Sequence, residues 1–367
     1  KKFTSTMSSL KPTIEKIISM GPGAEQSSLS YDEIKSAFDV ILSGKADPVQ
    51  VGALLMCLRM KGETPTEIAG MVDAMNDACL SVNLPGRKLL DIVGTGGDGA
   101  DTINISTASV VLAAACGATV AKAGNRSVSS ACGSADVLGS LGVVIDLSPT
   151  EVEKCVEDCG VAFMFAPVNH PAMKAVGPVR KALGIRSCFN ILGPMTNAAS
   201  AQRAVIGVFD GALLPLMAGA LEKVGRVDHA VIVHGCGLDE ISPVGPATIL
   251  EIRNVAPDGE AKTYEKKTFS FDPLDVGIPR CDVLDLRGGG PEQNAEEFRL
   301  VLDGGEHTNA KRDSIVLNAG VGCYVYGLTD SIEGGVKLAK ETLESGKAAE
   351  VLKKWIHSSQ SIRNGQE

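Results

Sequence analysis

Residues 89–99 read LLDIVGTGGDG: an apolar run of strand length that ends in a glycine turn. LLDIV has the texture of a buried strand, and Gly94, Gly96 and Gly99 match the spacing GxGxxG of a dinucleotide-binding turn. That pattern should be followed about twenty residues on by an acid that takes the ribose hydroxyl. Here there is no Asp or Glu between Asp101 and Asp136, thirty-four positions in which about four acids would be expected by proportion. A nicotinamide dinucleotide therefore loses its anchor. A 2′-phosphorylated one stays open, since Lys122 and Arg126 could face the phosphate. A P-loop is excluded because no GK[ST] follows the glycines. What remains is a strand-to-helix turn whose N–H groups can surround an anion, with Asn104, Ser106 and Thr107 opening the next helix. The competing reading is a tight turn with an ordinary Ser/Thr cap.

Outward from that turn, apolar runs alternate with helical patterns. Candidate strands are LLDIV (89–93), ATVAK (118–122), VVID (143–146), VAFMF (161–165), AVIGVF (204–209) and AVIVH (230–234). Such alternation predicts an α/β fold with a mostly parallel central sheet flanked by helices. Residues 247–271 read as a hairpin excursion, and two helical segments are expected to finish the chain. Upstream, residues 1–88 form a smaller all-helical domain. Ser30 and Glu33 make a capping box, Asp47-Pro48 opens a helix carrying Val51, Leu54, Leu55 and Leu58, and Thr64 to Glu67 opens another. NHPAMKAVGPVRKALG (169–184) looks helical with a break at Pro178. Residues 169–188 are expected to return to the helical domain, leaving a cleft between it and the α/β domain of 89–367.

Composition narrows the partners. A formal charge of -9 lacks the clustered cations that a nucleic-acid backbone requires, and 4% aromatics do not suit base stacking. Ten cysteines without a CxxC pair, and five histidines without ligand spacing, make reduced thiols the economical reading and zinc improbable. No run of 18 apolar residues is present, so no membrane span is expected. The opening KKFTSTMSSLKPT is basic and hydroxyl-rich; it reads as the end of an organelle transit peptide or as an addition preceding Met7.

Three further stretches carry chemistry. KAGNRSVSSACGS (122–134) has no acid and offers hydroxyls, glycine-flanked amides and Lys122 to a polyanion, although serine-rich loops are commonly just solvated turns. HGCGLDEIS (234–242) places Asp239 and Glu240 just beyond a strand's C-terminal end, suitable for Mg²⁺. An Asp-Glu pair on a surface turn is the commoner occurrence. In PVRKALG, Arg180 could grip a carboxylate bidentately or simply face solvent. Together these features suggest a diphosphate-bearing substrate and a small acid.

GTGGDGADTINIST, KAGNRSVSSACGSADVL, FAPVNHPAMKAVGPVRKALG, FNILGPMTN and GLDEIS, in that order, resemble the anthranilate phosphoribosyltransferase family over essentially the whole chain. ACGSADVL and FDPLDVGIPRCDVLDLRGGGP (271–291) look most like plant and algal members. The resemblance implies transfer of a phosphoribosyl group from phosphoribosyl pyrophosphate (PRPP) to anthranilate, in tryptophan biosynthesis. It implies a homodimer through the helical domain and, from the plant-like wording, residence in the plastid stroma, with the cytoplasm as the alternative. Carried over, Gly94, Gly97, Asp98, Thr102, Asn104, Ser106 and Thr107 border the pyrophosphate. Lys122, Gly124, Asn125, Arg126, Ser127, Ser129, Ser130 and Ser134 wrap the donor. Gly94, Asn125 and Arg180 meet anthranilate. Ser106, Asp239 and Glu240 hold Mg²⁺, expected as two ions, and no residue is assigned as general acid or base. Two departures stand on the acceptor side. Ala123 replaces the histidine of the family's usual KHGN, and Asn169-His170-Pro171 stands for HHP. A pyrimidine nucleoside phosphorylase shares the fold and a KxGxR…SADVL-like segment, but GTGGD, LGPMTN and the Asp239-Glu240 pair belong to the transferase. From another class, a non-catalytic nucleic-acid-binding relative is opposed by the charge and the intact acidic pair.

Overall fold

The computed structural model describes residues 9–21, 28–127, 131–257, 259–304 and 309–365. Four helices come first: α1 (Lys11–Met20), α2 (Tyr31–Leu42), α3 (Pro48–Lys61) and α4 (Pro65–Asp77). Their starts follow from local chemistry. Ser30 and Glu33 exchange side-chain and backbone hydrogen bonds, as do Thr64 and Glu67, and the Asp47 carboxylate accepts from Val49 and Gln50. Ile34, Phe38, Leu54, Leu55, Leu58 and Ile68 bury the inner faces. Lys61 and Glu67 form an ion pair of 2.8 Å inside this layer with side chains 1% and 0% exposed.

The remainder alternates: β1 (Leu90–Gly94), α5 (Ile105–Ala115), β2 (Val120–Gly124), α6 (Ser134–Leu141), α7 (Pro149–Cys159), β3 (Val161–Phe165), α8 (Ala166–Asn169), α9 (Gly177–Leu183), α10 (Phe189–Leu192), β4 (Arg203–Gly207), α11 (Leu213–Val224) and β5 (His229–Gly235). Then come β6 (Ala247–Asn254), β7 (Tyr264–Phe271), α12 (Pro291–Leu302), α13 (Asn309–Tyr326), α14 (Ile332–Glu344) and α15 (Lys347–Arg363). The strands form one sheet in the order β3-β2-β1-β4-β5-β6-β7, parallel through β5 and antiparallel across the last two pairings. The sheet serves two cores, because neighbouring side chains on a strand face opposite ways. Ala204 and Ile206 join the core of the helical layer, with Ala230 and Ile232 beside them. Val205, Val231 and Val233 join the core under α5 and α13. Val176 and Val179 also lie in the helical-layer core, and a Cβ at Gly52 of α3 would touch Val179 and Leu183 at 3.8 Å.

Three expectations are corrected. Residues 143–146 are not a strand: β3 is the strand that pairs along β2, through Val120↔Val161 to Gly124↔Phe165, and VVID pairs with no strand among the described residues. Its polar groups are met by α15 instead, through Val144 N–H to Ser359 Oγ (3.1 Å) and Arg363 to Asp146. Among the described residues the chain ends in four helices rather than two, separated by Gly304, Gly327 and Gly346, all at positive φ. The break expected at Pro178 falls two residues earlier, at Val176, between a 3-10 turn (Pro171–Ala175) and α9, and Pro178 lies in the first turn of α9, where a missing N–H costs nothing. Among the described residues no helix is long and apolar enough to cross a membrane.

Candidate active site

Strand order reverses direction at β1, whose neighbours are β2 and β4, and ligands of open α/β sheets bind beyond the strand ends at such a point. Four of the parallel-strand ends are glycine, Gly94, Gly124, Gly207 and Gly235, and at Gly94, Gly207 and Gly235 one loop crowds the bare backbone. It is the loop after β5. A Cβ on Gly207 would lie 2.5 Å from the carbonyl carbon of Asp239, and closer still to its oxygen. One on Gly94 would lie 2.9 Å from Asp239 Cγ, and one on Gly235 3.1 Å from the carbonyl carbon of Glu240. Bare strand ends thus let the acidic loop lie directly on the sheet edge. Asp239 Oδ2 accepts from Gly96 N–H at 2.6 Å, and Glu240 Oε1 accepts from Ser106 N–H at 3.1 Å. The pair therefore joins the glycine turn to the N-terminus of α5, where a carboxylate is favoured.

Electrostatics concentrate here. Burial first, then the neighbouring charge of Asp98, pushes Asp239 up to about 7. Burial, then Asp239, raises Glu240 well above the carboxylate range. The compensating cation is Lys122, only 1% exposed. Its ammonium is turned inward, donating to the Ile92 carbonyl (2.6 Å) and Ser106 Oγ (3.4 Å), so it lies under the turn instead of lining open surface. Burial lowers its pKa, opposed by Asp91, Glu240 and Asp239. Two buried carboxylates that resist ionisation, next to a third, suit a divalent cation. Among the described residues no three His, Cys, Asp or Glu side chains form a ready ligand set. Mg²⁺ commonly takes one or two carboxylates and completes its shell with substrate phosphates and water, so Asp239 and Glu240 are the side chains that would hold it.

The turn itself runs through Gly96, Gly97 and Gly99 at φ of 66, 84 and 75°, which only glycine adopts freely. Asp98 accepts from Ala100 N–H, and Thr102 bridges Arg287. Several expected site residues hold the framework. Asn104 donates to the Cys132 carbonyl (2.9 Å) and accepts from Asn294 (3.0 Å), tying the serine-rich loop to α12. Thr107, fully buried, donates to Ser134 Oγ at 3.1 Å. Gly124 abuts Phe163, whose Cζ would lie 2.9 Å from an added Cβ. Asn125 is exposed, its Oδ1 accepting from Arg126 N–H. Arg126 pairs with Asp136 at 2.8 Å, and Asp136 also takes the Ser127 and Gly133 amides. Ser129 and Ser130 lie outside the described residues.

Opposite, Arg180 of α9 packs over the Phe189 ring at 5.5 Å with no carboxylate in ion-pair range among the described residues, and burial lowers its pKa. Residues overlooked in the sequence complete the picture. Arg186 donates to the Gly97 carbonyl and stacks on Phe209 at 4.1 Å, crossing from the 177–192 segment to the glycine turn. Asp91, 2% exposed, accepts from Ala123 N–H and from Asn197 Nδ2 (2.7 Å). Asn169 is buried, donating to the Leu80 carbonyl, and His170 Nε2 meets the Thr196 carbonyl at 3.0 Å. A lone charged residue within a strand was the available signal for Asp91; nothing local distinguished Arg186.

Known proteins resemble this chain over most of its length. Residues 11–79 match the helical bundle domain of the glycosyl transferase family, and residues 86–349 its a/b domain. Anthranilate phosphoribosyltransferase of Chlamydia felis is 41% identical over 338 residues, 92% of this chain and 95% of that protein. The crystal structure of the Thermus thermophilus enzyme of that name aligns with TM-score 0.85 at 40% identity, covering 95% of this chain and 99% of that one. The Saccharomyces cerevisiae enzyme in complex with PRPP and Mg aligns with TM-score 0.84 at 29% identity, covering 96% and 98%.

Proposed function

The chain belongs to the anthranilate phosphoribosyltransferase family, and we propose how its cleft carries out that family's reaction: the 5-phosphoribosyl group passes from PRPP to the amine of anthranilate, giving N-(5-phosphoribosyl)anthranilate and pyrophosphate. The observation that carries this reading is the seating of Asp239 and Glu240 on the glycine strand ends, joined to both the glycine turn and α5. Amides of residues 94–99 and the start of α5 receive the pyrophosphate, and the 124–134 loop takes the ribose phosphate. Asp98, Ser106, Asp239 and Glu240 would hold Mg²⁺, two ions on our reading. When bound, Mg²⁺ neutralises charge on the departing pyrophosphate. As the C1–O bond breaks, the N–H donors take up the negative charge that develops, an electrostatic contribution that needs no proton transfer. The aromatic amine of anthranilate is neutral near pH 7, so the chain's task is orientation, with Arg180 on the carboxylate and Asn125 facing the ring side.

Anthranilate fluorescence should fall when PRPP is added with Mg²⁺, and an unchanged signal at saturating substrates would sink the proposal. Asp239→Ala/Glu240→Ala should abolish turnover; persisting activity would remove the metal assignment. We further propose a homodimer through the helical layer, supported by the exposed Ile18, Val49 and Met60, and testable by ultracentrifugation. The wording ACGSADVL supports an affinity with plant and algal members, and hence the plastid stroma, with the cytoplasm as alternative. A fluorescent fusion that stayed in the cytosol of a plant cell would decide for the alternative.

A further inference from the structure

Asp239 and Glu240 lie between two backbone fixtures. On their N-terminal side Gly235 and Leu238 exchange N–H···O bonds, each 3.0 Å. On their C-terminal side the fixture is a side chain from far along the chain. Asn318, 1% exposed on α13, accepts from Ile241 N–H at 3.1 Å and donates to the Ile241 carbonyl at 2.7 Å. Its second N–H goes to the Ser314 carbonyl at 2.8 Å. One amide thus pairs with both polar groups of a single residue, as a neighbouring strand would, and only Asp239 and Glu240 lie between the fixtures. Asparagine is a poor helix former, and its amide is costly to bury unless paired. An isosteric leucine would suit the interior of α13 better if packing were the only requirement.

We propose that Asn318 is a positioning residue for the transfer reaction: it fixes the peptide after Glu240 and so sets the direction in which the two carboxylates are presented. The inference rests on the reading of that pair as the holders of the metal and donor. Partners that orient ligands from behind are commonly worth about 10- to 100-fold in metal affinity. Asn318→Leu in the full chain should therefore weaken PRPP binding about tenfold by calorimetry in Mg²⁺. KM for anthranilate should stay within about twofold, because no acceptor residue is touched. In an Asp239→Asn/Glu240→Gln background the same substitution should produce no further loss, since its route is already cut. A melting temperature in each case separates this from loss of fold. If the leucine variant does not fold, Asn318→Ala carries the same test.

Unchanged PRPP affinity in Asn318→Leu, with the carboxylate double variant impaired, would overturn the positioning role and leave the metal reading intact. Unchanged affinity in the double variant would overturn the metal reading and the positioning role with it. Equal and additive losses in both backgrounds would show that Asn318 supports the fold alone.

Discussion

Gly207→Ala tests the sheet edge most directly. The new Cβ would sit 2.5 Å from the carbonyl carbon of Asp239, with the oxygen nearer and the Cα at 3.2 Å. These atoms are backbone, so no rotamer change relieves the contact. Restoring an ordinary separation from that oxygen moves the Asp239 peptide by well over about 1 Å, and a misplacement of even that size at a reacting centre can cost about 100-fold. The associated overpacking should cost about 1–3 kcal/mol of stability. We expect kcat/KM for PRPP to fall about 100-fold in the anthranilate fluorescence assay, with a cooperative melt retained. Gly139→Ala is the control: it lies in α6 with nothing within 4 Å of an added Cβ, and should leave activity unchanged. Turnover by Gly207→Ala within about threefold of the parent would refute the view that bare strand ends seat the acidic loop.

Three other perturbations are as specific. Burial pushes Asp91 up to about 6 from 3.8, opposed by Lys122. Between those values the native protein holds a proton that the unfolded chain releases, so stability falls as pH rises through the window, by up to ~3 kcal/mol. Asp91→Asn should flatten that slope in denaturant titrations from pH 4 to 6; an unaltered slope would exclude Asp91 as its source. Lys61→Met strands the buried Glu67 carboxylate and should cost about 3 kcal/mol by urea unfolding, whereas removing the exposed partner of the Lys35–Asp77 pair should cost under about 1 kcal/mol. Arg180→Lys keeps the charge but loses the planar fork and its stacking on Phe189; KM for anthranilate should rise about tenfold while KM for PRPP stays put.

Local chemistry made the helical layer legible. Ser30, Asp47 and Thr64 stand at the N-cap immediately before their helices, and the apolar spacing behind them marks the buried face. The carboxylate pair was legible too, because strand, turn and acids are adjacent in sequence. VVID resembles a strand because three apolar residues in a row do not reveal what will satisfy their backbone; here the Ser359 hydroxyl and Arg363 of α15 do so in place of a neighbouring strand. Likewise, the glycines at 94, 207 and 235 look like unrelated strand ends until the sheet brings them together beneath Asp239 and Glu240. Lys122 ends the run ATVAK in an acid-free region, which suggests a phosphate-facing cation, although in the structure it lies in the middle of β2. Its inward turn depends on the Ile92 carbonyl and Ser106 hydroxyl, contacts that only the assembled strands and helix create.

The reversal of direction at β6 has a kinetic side. Had β6 run parallel to β5, the chain after Gly235 would have needed a crossover to the opposite end of the sheet. Because β6 is antiparallel, residues 236–246 leave and re-enter the sheet at the same edge. A short closure between strands already side by side carries a small entropic penalty and forms from nearby contacts. The stretch that bears the carboxylates is therefore closed by local contacts of the β5–β6 hairpin, while its seat on β1, β4 and α5 and its tether to Asn318 come from elements far away in the chain.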